Sequence, residues 1–381
     1  MPELPDVTVY VERVADRIVG HTLQKVRLAS PFLLRSVEPP LADTFGKHVV
    51  GVERLGKRIV FVLEDELFLV LHLMVAGRLK WLPTPGAKIP GKVGLAAFDF
   101  SSGTLLLREA SSKKRASLHV VRGRAALAEH DRGGLEPLET TEAEFARALR
   151  RENHTLKRTL TDPRIFSGIG NAYSDEILHR AKLSPVALSQ KLSDEAVARL
   201  YAATEELLAE WTERLRHESL EQFPENVTAF RPEFAVHGKY RQPCPVCGKP
   251  VQRIRYAENE TNYCAVCQTG GKLLADRALS RLLHGDWPRS LDEMDERKES
   301  ARSALGTLRP HVKHDGGAEV EEAAGEQVLG KPVKQARAVA HRDGDGEHHG
   351  ERAARQAAEL GHGKGRKHPG GAKQKKQRQK R

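Results

Sequence analysis

Val7, Val11, Val14 and Ile18 recur at helical spacing, which predicts an amphipathic helix after the first six residues, closed by Gly20. Beyond it the period shortens. Residues 21–29, 58–63, 67–73, 104–107 and 116–121 are short, rich in Val, Leu and Ile, and separated by Gly, Pro or charged turns. Such runs predict an antiparallel sandwich or barrel, so residues 1–132 read as one mainly β domain with a helix at its start. The pattern then returns to helix. Thr141 and Glu144 have capping-box spacing ahead of Phe145 and Leu149, and Val197, Leu200, Leu207, Leu208, Trp211 and Leu215 mark an apolar face along 193–218. Residues 140–231 therefore read as a helical domain, 236–283 as a small cysteine module, and 288–381 as linker and disordered tail. The fold class expected is α+β and multidomain.

Composition sharpens this division. A chain of 381 residues has room for two or three cores. No apolar run nears the ~18 residues of a membrane span, and the opening MPELPD has neither a basic nor an apolar stretch of a secretion signal. Four cysteines are too few for a disulfide scaffold of this size, so a reducing, cytoplasmic setting is expected. The net charge of +11 points to an anionic partner, nucleic acid first. Nine of those charges lie in residues 361–381, which contain no acid at all. That segment cannot bury enough apolar surface to offset its ordering entropy and is expected to be disordered. It is either a solubilising tail or a source of nonspecific DNA affinity.

Candidate chemistry begins with the cysteines. Cys244, Cys247, Cys264 and Cys267 form C-x2-C-x16-C-x2-C, a spacing that closes four thiolates around one structural Zn²⁺. Lys239, Arg241, Lys249, Arg253, Arg255 and Lys272 surround them, as in a hairpin that tracks phosphates. At the start of the chain, loss of Met1 would expose Pro2 as a secondary amine able to attack a sugar carbon, with Glu3 beside it as general acid and base. On residue grounds alone, an early proline that merely delays a helix reads better. The turn Gly168-Ile169-Gly170-Asn171 suits backbone N–H groups approaching a phosphate, or an ordinary helix–helix turn. Its spacing matches no nucleotide-binding fingerprint. Lys57 in a hairpin turn, His72 near a strand and Lys157 in a helix are open between function, solvation and packing.

Taken in order, these features resemble the formamidopyrimidine-DNA glycosylase and endonuclease VIII family of DNA repair enzymes. MPELPD at the start, LGKR at 55–58, HLMVAGRL at 72–79, LKRTLTD at 156–162, SGIGNAYSDEIL at 167–178 and PCPVCG with YCAVCQ at 243–268 carry the resemblance. It runs from Pro2 to about Leu283, and MPELP leans to the formamidopyrimidine branch. The resemblance implies an N-terminal β-sandwich, a helix–two-turn–helix domain and a four-cysteine zinc finger, with duplex DNA in the cleft between. It implies Pro2 as Schiff-base nucleophile, Glu3 as the acid that assists sugar-ring opening, and Lys57 as a phosphate-holding proton donor in β-elimination. Lys157 and Asn171 fall where the family grips the phosphates flanking the lesion. The lesion would be flipped out of the stack, because its sugar carbon is shielded there. No redox or nucleotide cofactor, no membrane and a monomer are expected, with a place on the nucleoid if the source is bacterial.

Three departures qualify these expectations. The family's arginine five residues before the third cysteine is Asn259 here, and a neutral side chain cannot replace a fixed cation in δ-elimination. Met74 stands one place earlier than the family's void-filling wedge. Lys113, Lys114 and Arg115 occupy the usual Arg-x-Phe loop, so opposite-base readout should differ. Removal of oxidised purines is the leading expectation. An oxidised-pyrimidine enzyme of endonuclease VIII type is the alternative within the class. A lesion-sensing DNA-binding protein with weakened chemistry and an RNA-binding zinc ribbon are alternatives outside it.

Overall fold

The structure, a computed structural model, describes residues 1–225, 227–228, 230–256, 259–275 and 288–307, with Tyr256, Asn259 and 302–307 described by backbone alone. The basic tail and its expected disorder lie outside the described residues.

Helix α1 spans Leu4–Ile18, three residues earlier than the apolar period suggests. Pro5 stands in its first turn, where a missing N–H costs nothing, and the Asp6 carboxylate accepts from the Glu3 N–H at 2.9 Å. The helix serves two cores. Val7, Tyr10, Val14 and Ile18 pack into the β domain, whereas Leu4 is buried in the helical domain.

The β domain has eight antiparallel strands: β1 (Thr22–Leu28), β2 (Lys47–Leu55), β3 (Arg58–Leu63), β4 (Leu67–His72), β5 (Gly77–Leu82), β6 (Gly94–Phe100), β7 (Gly103–Glu109) and β8 (Ser117–Arg122). Their order is β5-β7-β6-β1-β2-β3-β4-β8. Strands β1 and β2 share only the pairs Thr22↔His48 and Leu23↔Lys47, so the sheet folds there into two four-stranded layers. Phe61 of one layer meets Phe98 and Phe100 of the other edge-on, with centroids 5.5 and 6.3 Å apart. Alternation assigns the faces. Ile59, Phe61, Leu63, Leu69 and Leu71 point into the sandwich, while Val60, Val62, Phe68 and Val70 point outward, under Leu127 of α2 (Arg124–Ala128). Strands β2 and β6 escape the sequence pattern because Gly51 and the adjacent alanines 96 and 97 interrupt their alternation; β5 escapes it although Leu79 and Trp81 alternate with Arg78 and Lys80.

The helical domain contains α3 (Glu142–Arg150), α4 (Leu156–Thr161), α5 (Asn171–Arg180) and α6 (Asp194–Glu218). The capping box before α3 forms as its sequence predicts: the Thr141 N–H donates to Glu144 Oε2 at 3.0 Å, and the Glu144 N–H donates to Thr141 Oγ1 at 3.4 Å. Leu200, Leu207 and Leu208 on α6 pack onto Tyr173, Ile177 and Leu178 of α5 in one cluster, each buried leucine contributing about 1.5–3 kcal/mol.

The cysteine module pairs β9 (Gln252–Tyr256) with β10 (Asn259–Tyr263), followed by α7 (Ala265–Thr269). A further helix, α8, spans Leu291–Thr307, where the sequence pattern suggests only linker. Leu291 joins Tyr263, Ala265 and Leu273 in a small cluster, with Met294 against it. The rest of α8 is mostly charged, so its two apolar anchors leave no visible period.

Candidate active site

Three backbone N–H groups at the start of α5 converge on one side chain from the other end of the chain. The Glu3 carboxylate accepts from Gly170 at 2.7 Å, Ala172 at 2.9 Å and Tyr173 at 3.2 Å. These are donors that the helix itself cannot satisfy, and the helix dipole favours a negative charge there. Glu3 is 2% exposed and Pro2, beside it, is buried. The Leu4 N–H donates to the Gly168 carbonyl at 2.9 Å, so main chain as well as side chain holds the amino terminus against this turn.

Gly170 is required by close approach. A Cβ there would lie 2.5 Å from Glu3 Oε1 and 2.7 Å from Lys57 Nζ, so both charged groups press on the same glycine. Lys57 sits in the turn between β2 and β3. Burial holds its ammonium below the usual lysine range and Lys157 pushes the same way, while Glu3 opposes them. The Asp6 carboxyl beneath is pushed up by burial, although the Arg231 guanidinium, 2.9 Å away, pulls it down.

In front of this corner opens a cleft of about 430 Å³, lined by Met1, Lys57, Arg58, His72, Met74 and Gly168 among others. Burial and nearby cations push the His72 imidazole down to about 4, so it is neutral at pH 7. Its Nδ1 accepts the Met74 N–H at 2.9 Å, which leaves the proton on Nε2. Met74 adopts a left-handed backbone, φ 51°, and Val75 after it is exposed.

The other residues singled out by sequence divide into two groups. Lys157 turns inward: its ammonium donates to the Asn171 carbonyl at 2.6 Å and to Asp175 Oδ1 at 2.5 Å, and its side chain is 13% exposed. Asn171 Nδ2 donates to the Glu260 carbonyl of β10 at 2.9 Å. Both side chains thus tie α5 to its neighbours in this structure. Lys113 and Arg115 lie on the exposed loop between β7 and β8, whose base is held by the buried Glu109 carboxylate accepting from the Arg115 and Ala116 N–H groups.

Sequence reasoning missed how α5 grips the cysteine module. Asp175, fully buried, accepts from the Asn262 N–H at 3.1 Å and bonds His237 Nδ1 at 2.8 Å. Glu176 accepts from the N–H groups of Ala235, Val236 and His237 at 2.7–2.9 Å. His179 Nε2 lies 3.3 Å from Cys244 Sγ. Positions 171, 175 and 179 are spaced by four, so they form one stripe along the helix. That spacing within NAYSDEILH was the available signal.

The four cysteine sulfurs lie within 4.8 Å of one another, with Cys244–Cys267 at 3.9 Å and Cys247–Cys264 at 3.4 Å. A tetrahedron with Zn–S bonds of about 2.3 Å has edges near 3.8 Å, so the donors fit a zinc ion in both kind and spacing. Among the described residues no helix is long and apolar enough to cross a membrane.

Comparison with known proteins agrees with this layout. Residues 1–121 match the formamidopyrimidine-DNA glycosylase N-terminal domain and 134–219 its H2TH domain. Residues 241–270 match a zinc finger found in the same glycosylases and in isoleucyl-tRNA synthetase. The formamidopyrimidine-DNA glycosylase of Thermus thermophilus is 35% identical over 280 residues, 71% of this chain and 100% of the relative. A variant of the Lactococcus lactis glycosylase, solved with DNA containing Fapy-dG, superposes with a TM-score of 0.63 at 26% identity, over 70% of this chain and 100% of that one. The wild-type Lactococcus lactis protein with DNA containing an oxidised pyrimidine gives 0.62 at 25% identity, with the same coverage.

Proposed function

The chain belongs to the formamidopyrimidine-DNA glycosylase family, and we propose that it excises oxidised purines from duplex DNA and nicks the strand through a Schiff base on Pro2. The observation that carries this reading is the corner where Glu3, cradled by three N–H groups, and Lys57 meet at Gly170 beside Pro2.

With Met1 in place, the Pro2 nitrogen is a tertiary amide whose lone pair is delocalised. Removal of Met1 leaves a secondary amine at the cleft. That amine bonds to C1′ of the flipped nucleotide as the glycosidic bond breaks, and the base departs with the bonding pair and takes up a proton. The amine gives up its N–H proton to Glu3 as it bonds, and Glu3 passes that proton to O4′ as the sugar ring opens, giving an iminium ion. The iminium acidifies C2′. Loss of that proton expels the 3′ phosphate by β-elimination, with Lys57 placed to hold the phosphate and move the proton. Asn259 stands where the family's δ-elimination arginine is expected, so the reaction is read as ending at β-elimination.

Met74 fills space at the flipped nucleotide. Lys113 and Arg115 contact the duplex from the β7–β8 loop, and Lys157 and Asn171 set the phosphate-facing end of α5. Cys244, Cys247, Cys264 and Cys267 hold one structural Zn²⁺, which keeps the β9–β10 hairpin folded. The enzyme acts as a monomer in the cytoplasm, without redox or nucleotide cofactor. Excision of an oxidised pyrimidine is a second reading, favoured by the lesion bound to the Lactococcus lactis relative.

Borohydride trapping tests this reading on duplexes carrying 8-oxoguanine, a formamidopyrimidine, an oxidised pyrimidine or an abasic site. The expected result is a covalent adduct strongest on the oxidised purines and absent in Pro2→Gly. No adduct on any substrate, with Met1 verified absent and zinc verified bound, would leave only a lesion-binding protein.

A further inference from the structure

We propose that the outer face of the second β layer carries a proton-linked phosphodiester station, built from Arg58, His119, His130 and Arg132, that extends the DNA track beyond Lys57. The inference rests on the DNA-glycosylase reading above.

Strand register sets Arg58 and His119 on neighbouring levels of one face, since His119 pairs with Val70 and Val70 with Val60, two residues along β3 from Arg58. Arg58 pairs with His72 across β3 and β4, and His72 pairs with Ser117 across β4 and β8, so all three stand at one level of the sheet. The outward positions are those of Val60, Val62, Phe68, Val70 and Val121, and the same alternation turns Arg58, His72 and His119 outward. The face therefore changes character along its length: apolar where α2 covers it, cationic where α2 ends. There the chain folds back, and the His130 ring meets His119 edge-on with centroids 4.9 Å apart. The cleft in front of Lys57 continues past Arg58 and His72 to His130, Asp131 and Arg132.

Charge on this face is poorly balanced. Among the described residues, no side chain or carbonyl accepts a hydrogen bond from the guanidinium of Arg58 or Arg132, unlike Arg54, Arg122 and Arg124 nearby, which all have carboxylate partners. The charged groups that act on the two histidines are Arg35, Arg58, Arg132 and Glu129; Glu38, Asp43 and Arg122 line the pocket beside them, Asp43 being paired with Arg122, while His72 lies next to His119 and Asp131 faces Arg58. Asp131 Oδ1 is already engaged by the Gly133 N–H at 2.9 Å. Burial first holds both imidazoles below the usual histidine range; the His130 ring, Arg58 and Arg35 add to this at His119, and Arg58 and Arg132 add to it at His130, where Glu129 opposes. At neutral pH the fixed charge is thus that of the arginines, with the two imidazoles held towards the neutral form by burial first and by that charge second. A phosphodiester placed here reverses the local field, so the imidazoles take up protons on binding, and affinity rises as pH falls. His72 sits deeper and lower in pKa, and stays neutral throughout.

The test is anisotropy binding of the full-length protein between about pH 6 and pH 8, at fixed salt. The probes are an undamaged duplex and one carrying a tetrahydrofuran abasic analogue. The wild type is expected to tighten several-fold per unit fall in pH on both, and His119→Gln with His130→Gln to flatten that slope, while His217→Gln keeps it. Arg132→Gln, at an exposed position that does not threaten folding, should weaken binding to both duplexes alike and lower the salt slope by about one. A wild-type slope preserved in the double variant, or a salt slope unchanged in Arg132→Gln, overturns the station. Should the double variant fail to melt cooperatively, Arg132→Gln decides alone. Failure of the glycosylase reading would show separately, as absence of borohydride adducts in the wild type with the pH slope intact.

Discussion

Glu3 and Glu176 use the same local device for different ends. Each is a buried carboxylate accepting three backbone N–H groups, Glu3 from the start of α5 and Glu176 from residues 235, 236 and 237. Among the described residues the Glu176 cradle has no ammonium group against it; buried Asp175 beside it adds a like charge, and burial raises its pKa in spite of the three donors. The Glu3 cradle has Lys57 against it and a cleft in front. A sealed cradle fastens one module to another. The same cradle with a cation and an opening can hand a proton to something that enters. Burial and hydrogen bonding alone therefore do not distinguish a reactive carboxylate from a structural one; its neighbours and its access do.

The widest break in this comparison is to remove what Glu176 fastens. Stripping zinc, or Cys264→Ser, should melt the β9–β10 hairpin and weaken DNA binding by about 100-fold or more, with the sandwich still folded. Tight binding after verified zinc loss would mean that the helix contacts hold the hairpin unaided. At the open cradle, Gly170→Ala forces a Cβ between Glu3 and Lys57. Base release should fall by about 100-fold, since misplacement by an ångström costs that much, while the circular dichroism spectrum and zinc content stay unchanged. Near-normal turnover would show that the corner is not the reacting site.

The smallest effect is expected at the sealed cradle. Glu176→Gln replaces one acceptor oxygen by a donor and should cost about 1–3 kcal/mol at neutral pH, read as a lower Tm. The sign of its pH dependence follows from the raised pKa. The folded state binds the proton more tightly, so the proton-linked part of the stability this group adds is full below its ordinary value of 4.5 and is lost as pH rises through the shifted value, leaving the part due to its hydrogen bonds. The Tm gap between wild type and variant should narrow from mildly acidic to neutral pH. A gap that widens would reverse the assignment.

Much of the architecture was legible because it rests on short-range rules. Periodicity marked α1 and α6, Thr141 and Glu144 marked the start of α3, and cysteine spacing marked the metal donors. What stayed hidden depends on contacts made at long range. Nothing near Glu3 in sequence says that Gly170, Ala172 and Tyr173 complete it, and Gly170 matters only because two distant side chains converge there. Lys157, which looks like a free cation in sequence, is committed to Asp175 because α4 and α5 cross at that point. Strands with small residues at adjacent positions, such as Ala96 and Ala97 of β6, carry too little contrast to be seen without their partners.

The bond between Glu3 and the start of α5 spans nearly half the chain, and that has a consequence for how the protein is made. Until residues 170–173 have been made, Glu3 lacks the donors that hold it. Once α5 folds, Leu4 is locked into the helical core and Met1 is half enclosed in the cleft. On the reading that Pro2 acts as the nucleophile, removal of Met1 should therefore be easier before α5 closes over the amino terminus than after it.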